Sequence, residues 1–145
     1  MKLQKLFAFI SFYSVLLFAA IVCLLHFIRP DKNMLSCFVS EYAVGDYGLL
    51  LTIAFYILAV ASALLLISLV QHGKASVPGS IASGVFCVGI FLAGIFPTDV
   101  PVELPTNRGL IYSFAALIAL FSLAVAMIAW GRSFRKNDGL KSISK

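Results

Sequence analysis

Residues 48–70 read GLLLTIAFYILAVASALLLISLV, a run without a single Asp, Glu, Lys or Arg. A segment this apolar has nothing to present to water on any face, and about 20 such residues suffice for a helix to cross the hydrocarbon core of a bilayer. Helix is forced there, because no water satisfies the backbone polar groups and each must find its partner within the segment. Working outward, residues 6–27, 77–96 and 109–130 meet the same standard and are equally free of those four residue types. Four such runs in 145 residues predict one integral membrane domain, 1–145, with an all-α fold. The expected architecture is a four-helix transmembrane bundle, up-down-up-down.

Composition agrees. The chain is 61% hydrophobic and 12% charged, with a mean hydropathy of +1.03. A water-soluble domain needs far more polar surface than that. The net charge of +5 does not point to nucleic acid, because Lys2, Lys5, Lys74, Arg132, Arg135, Lys136, Lys141 and Lys145 all fall on one side of the predicted topology. Basic residues accumulate on the cytoplasmic side of membrane proteins, so both termini are expected in the cytoplasm, with 131–145 as a basic, mobile tail touching anionic lipid. The short loops and tails favour a plasma membrane of bacterial type. Lys2 and Lys5 ahead of an apolar run imitate a secretory signal, but the run outlasts the ~7–15 residues of a signal core, so a retained first helix is expected. Cys23 and Cys87 lie in apolar runs and Cys37 alone in a loop, a pattern that fits neither a disulfide framework nor a zinc site.

The connections differ in character. Gln71–Ser76 predicts a tight turn, with Pro78 in the first turn of the third helix, where its missing N–H costs nothing. Pro97, Pro101 and Pro105 stiffen the third connection until Thr106 or Asn107 caps the fourth helix. In the first connection Met34, Leu35, Phe38, Val39, Tyr42 and Ala43 recur at helical spacing. Asn33 is placed to cap and Gly45 to end a short outer amphipathic helix on the membrane surface. Trp130 and Phe134 are expected at the inner interface, Tyr42 and Tyr47 at the outer one. Packing should use Ser80-xxx-Gly84, Gly89-xxx-Ala93 and Ala115-xxx-Ala119, within the monomer in preference to a dimer seam.

This topology gathers the polar groups at the outer mouth: His26 and Arg29, Ser40-Glu41-Tyr42, Thr98-Asp99, then Thr106, Arg108 and Tyr112. Ionisable groups at such a depth are paired or functional. On the structural reading, Arg29 takes Glu41 or Asp99 as counter-charge and ties the surface helix and third loop to the bundle. On the functional reading, two cations flanked by hydroxyls hold an anionic head group. A His with a carboxylate suits acid–base chemistry, but no nucleophile spacing or ligand motif accompanies it. His72 lies across the membrane from His26, so no two-His metal site is expected within one chain. No catalytic residue, metal or cofactor is assigned. The helix centres hold only hydroxyls such as Ser14, Thr52, Tyr56, Ser62 and Ser83, which argues against ion conduction.

In order, His26-x-x-Arg29-Pro30, Ser40-Glu41-Tyr42-Ala43-Val44-Gly45, Gly94-Ile95-Phe96-Pro97-Thr98-Asp99 and Thr106-x-x-Gly109 resemble the domain-of-unknown-function family numbered 998. The resemblance implies a small multi-pass membrane protein with no assigned activity. In the family's pattern a His often follows the Thr-x-x-Gly step, where Tyr112 stands here. That departure puts a catalytic or metal role in doubt.

The leading functional expectation is a non-enzymatic bundle that binds a lipid head group or small anion at its outer mouth. An accessory or assembly subunit of a larger membrane complex is the near-equal rival, with a homo-oligomer as one form of partnership. A lipid-modifying enzyme ranks third, and a transporter or channel fourth.

Overall fold

Four long helices carry the chain: α1 (Lys2–Ile28), α2 (Gly48–Gln71), α3 (Val77–Ile95) and α4 (Asn107–Lys136). In this computed structural model the described residues are 2–32, 37–71, 76–96, 98–99 and 106–136. Each helix is long and apolar enough to span a membrane. At about 1.5 Å per residue, even the shortest, α3, approaches the ~30 Å of a hydrocarbon core. The fold is an all-α bundle of four such helices, as the four apolar runs predict.

Neighbours in sequence are neighbours in space. α1 packs on α2, α2 on α3 and α3 on α4. Among the described residues α1 and α4 form no packed pair. Hydroxyls and one amide fasten α1 to α2 where apolar contact alone gives no register. Ser11 shares its proton between the Phe7 and Ala61 carbonyls, both at 2.8 Å, and Ser68 Oγ donates to Gln4 O at 3.0 Å. Gln4 Nε2 donates in turn to Gln71 O at 3.1 Å.

Glycines set the α3 contacts, because lipid tails give helices no hydrophobic reason to approach. A Cβ on Gly89 would stand 2.8 Å from Ala119 Cβ and 2.9 Å from Ala115 O, so α3 and α4 touch backbone to backbone there. Gly94 admits the Tyr56 ring of α2 in the same way, at 2.7 Å. Gly89-xxx-Ala93 and Ala115-xxx-Ala119 thus serve the monomer. Gly84 does not: nothing lies within 4 Å of its missing side chain.

Several expectations need correcting. The 3₁₀ helix Val39–Ala43 replaces the longer amphipathic helix, and Phe38 ahead of it is extended and 78% exposed. Asn33, Met34, Leu35 and Ser36 lie outside the described residues, as do His72, Lys74, Pro97, Glu103 and the tail from 137. α4 continues six residues into what was expected to be tail, ending at Lys136. Trp130, expected to face the inner interface, turns its ring into the bundle. It is buried against Ala82 and Ala126, because Gly79 leaves room for the indole and Ser83 Oγ accepts its Nε1–H at 3.2 Å.

Candidate functional site

The end of the bundle opposite the basic tail is built around Arg29. It follows the last residue of α1, with its N–H still bonded to Leu25 O at 3.0 Å, and is 7% exposed. Its guanidinium has five N–H donors in a rigid fork. Nε and Nη2 grip the two Asp31 carboxylate oxygens at 2.8 Å each, while Nη1 donates to Val44 O at 3.1 Å and Asp46 O at 2.5 Å. Four of the five donors are therefore occupied. The counter-charge is Asp31, two residues on, and not Glu41 or Asp99 as expected, because Pro30 turns the chain back beneath the fork. Asp31 holds Arg29 more firmly protonated than usual, and Arg29 holds the Asp31 carboxyl below the ordinary carboxylate range.

The segment the fork holds is a tight reversal. Gly45 takes φ +83° directly over the guanidinium, as its expected left-handed role required, and Tyr47 takes φ 61°. Gly48 starts α2 against the Ala43 carbonyl, in space that no side chain could share. The Val44 and Asp46 carbonyls turned inward by this path need donors, and Arg29 supplies them.

Glu41 serves the 3₁₀ helix. Its Oε1 accepts from Phe38 N at 3.0 Å, and its Oε2 meets Lys32 Nζ at 3.3 Å. Tyr42 belongs to the core rather than to an outer aromatic belt. It is 1% exposed among Leu25, Leu51, Ala54 and Phe55. Loss of water pushes its phenol up to about 12, and the Cys37 thiol beside it, at 3.6 Å, adds to the effect. His26 tilts against the Tyr42 ring with centroids 4.9 Å apart. Its Nδ1 donates to Val22 O at 2.7 Å. Among the described residues no carboxylate bonds to that ring.

A second group forms at the head of α4. Thr106 caps the helix by accepting from Gly109 N at 3.1 Å. Asp99 then accepts from Thr106 N and Thr106 Oγ1, both at 2.7 Å, and lies over Gly109. A carboxylate at a helix N-terminus is favoured by the partial positive charge there. Tyr112 is buried one turn on, with the Ser40 hydroxyl near its own. Thr98 is half-buried beside Asp99. Arg108 is exposed and makes no hydrogen bond or ion pair among the described residues. Sequence reasoning missed Asp31 and Asp46, and also Gly48 and Gly109, whose role is close approach. The Arg29-Pro30-Asp31 sequence, with a single proline between the two charges, was the available signal.

Of the residues expected at the mouth, Arg29 and Glu41 belong to one latch and Asp99 and Thr106 to a second, while among the described residues Thr98 and Arg108 join neither. Both are made of mutually satisfied groups. Arg29 has one unoccupied donor left, too few to grip a phosphate or carboxylate bidentately.

The chain matches the family described as "Protein of unknown function (DUF998)" over residues 12–143, and it belongs to that family. No curated protein and no solved structure matches it. The motif residues now have physical roles: Arg29, Glu41 and Gly45 close the first latch, and Asp99, Thr106 and Gly109 close the second.

Proposed function

We propose that this multi-pass membrane protein is a non-enzymatic accessory or assembly subunit whose first helix receives a partner within the bilayer. The observation that carries this reading is Tyr13. It lies about two turns beyond Lys5 along α1, is 64% exposed, and makes no hydrogen bond among the described residues. A hydroxyl at that depth gains from a polar partner that lipid tails cannot supply. Among the four helices α1 packs on α2 alone in the described residues, and Leu6, Ile10, Tyr13 and Leu17 form an exposed seam at 3–4 residue spacing. Such a seam suits another helix, from a second protein or a second copy of this chain.

The same reading assigns both termini to the cytoplasm of a bacterial cell, on the distribution of Lys and Arg. Reporter fusions at each end test it. For the partner, a photoreactive phenylalanine analogue replaces Tyr13 in native membranes. A control replaces Phe121, 68% exposed on α4. A discrete protein adduct at position 13 and none at 121 supports the proposal, and a doubled mass identifies self-association. Lipid adducts alone at both positions overturn it.

A second reading keeps a lipid head group or small anion at the mouth. Arg108 favours it, being exposed and without an ion pair among the described residues. Loss of a bound anion in Arg108→Ala with folding intact supports it. Unchanged binding, or none in the wild type, removes it.

A further inference from the structure

We infer that the opposite, basic end of the bundle carries a site for one anionic phospholipid, between the first turn of α3 and the last turns of α4. A cavity of about 690 Å³ opens there, with Val77 and Pro78 on one wall and Val125, Ile128 and Arg132 on the other. Val125, Ile128, Arg132 and Arg135 follow one another along α4 at steps of three and four, so they share a face. That face is apolar for two turns and then cationic, the order a phospholipid presents from acyl chain to phosphate.

Charge supplies the second, independent line. Arg29 is enclosed by Asp31 and backbone carbonyls, whereas Arg132 and Arg135 are exposed and have no hydrogen bond or ion pair among the described residues. The described carboxylates, Asp31, Glu41, Asp46 and Asp99, all stand in the segments at the other end of the bundle. Arg132 lines the polar end of an apolar groove, with Arg135 one turn further along the same face, and a guanidinium binds a phosphate diester in a planar, two-point manner. A soluble phosphate would leave the Val77, Val125 and Ile128 surface uncovered. Those side chains are 68%, 51% and 56% exposed and call for a hydrocarbon chain. This inference is independent of the α1 partner.

The test is native mass spectrometry of the full chain in mild detergent, titrated with phosphatidylglycerol or phosphatidylcholine. Wild type is expected to retain one phosphatidylglycerol in preference to phosphatidylcholine. Arg132→Gln should weaken that retention about five-fold, the worth of one basic side chain at an anionic surface. Lys5→Gln removes the same charge from the exposed surface of α1, away from this groove, and should leave retention unchanged. Glycerol phosphate, the head group without its chains, should not displace the lipid. Equal retention of the two lipids, equal losses in the two variants, or displacement by glycerol phosphate would each overturn the site. Circular dichroism on both variants separates a lost site from a lost fold.

Discussion

Asp99 lies over Gly109 in the space a side chain there would take, its carboxylate closing on the capped first turn of α4. A glycine inside a helix costs roughly 0.5–1 kcal/mol relative to alanine, so its presence signals a contact worth more. Gly109→Ala is therefore expected to destabilise the protein, contrary to ordinary helix propensity. The Cβ expels Asp99 and with it both bonds to Thr106. The loss should be about 1–2 kcal/mol, the scale of a removed helix cap. Asp99→Ala should cost a similar amount, and the double variant little more than either, because both remove one interaction. Denaturant unfolding of the four proteins in detergent measures this. Additive losses would mean the two residues act separately.

Arg29 should prove structural. Arg29→Ala leaves the Val44 and Asp46 carbonyls without their donor beneath a tight turn. Hydrogen bonds from charged donors contribute about 1.5–3 kcal/mol each, and partial rehydration reduces the sum, so a loss of roughly 2–4 kcal/mol is expected. Arg29→Lys should recover only part, since one ammonium cannot reproduce the planar fork. Asp31→Asn should be milder, because that carboxylate is 57% exposed and water screens its pairing. Asp31 is depressed in the folded state, so its contribution holds above the ordinary carboxylate range and fades as pH falls through its lowered value. Acid titrations of unfolding should show this in wild type and lose it in Asp31→Asn.

Tyr42 predicts the behaviour at the alkaline end. Its phenol is pushed up to about 12 in the fold, against about 10 when unfolded. With the folded value raised, the contribution is complete below pH 10 and drains away as pH rises toward 12. The melting midpoint in detergent should fall through that interval. Tyr42→Phe should melt earlier at neutral pH, because the Cys37 thiol loses its acceptor, but with a flatter alkaline profile. An identical alkaline slope in the two proteins would assign the titration elsewhere.

The four helices were legible because apolar length is a one-dimensional signal that no tertiary contact has to complete. Pairing was not. Which carboxylate meets Arg29 depends on the path taken after Pro30, and hydropathy says nothing about that path. Trp130 reads as an interfacial anchor until Gly79 and Ser83, far away in sequence, are seen to make room for it and bond it. Helix order alone puts Arg29, Glu41 and Tyr42 at one end with Asp99 and Thr106. Their chemistry did not come through, because a count of cations cannot reveal that backbone carbonyls already occupy one of them.

Gly84 and Gly89 look interchangeable in sequence, and the fold separates them. At Gly89 an added methyl meets Ala119 Cβ at 2.8 Å and the Ala115 carbonyl at 2.9 Å, and neither can yield without parting α3 from α4. At Gly84 it meets nothing within 4 Å. Gly89→Ala should therefore destabilise by about 1–3 kcal/mol, the range for overpacking a close contact. Gly84→Ala should be neutral or stabilising by up to about 1 kcal/mol through helix propensity. Detergent unfolding of both variants decides the matter, with a cysteine pair across α3 and α4 reporting whether the helices part. If Gly84→Ala proved the damaging change, the exposed face of α3 would be buried against another molecule in the working protein, and the small residues Ser80 and Gly84 would mark that seam.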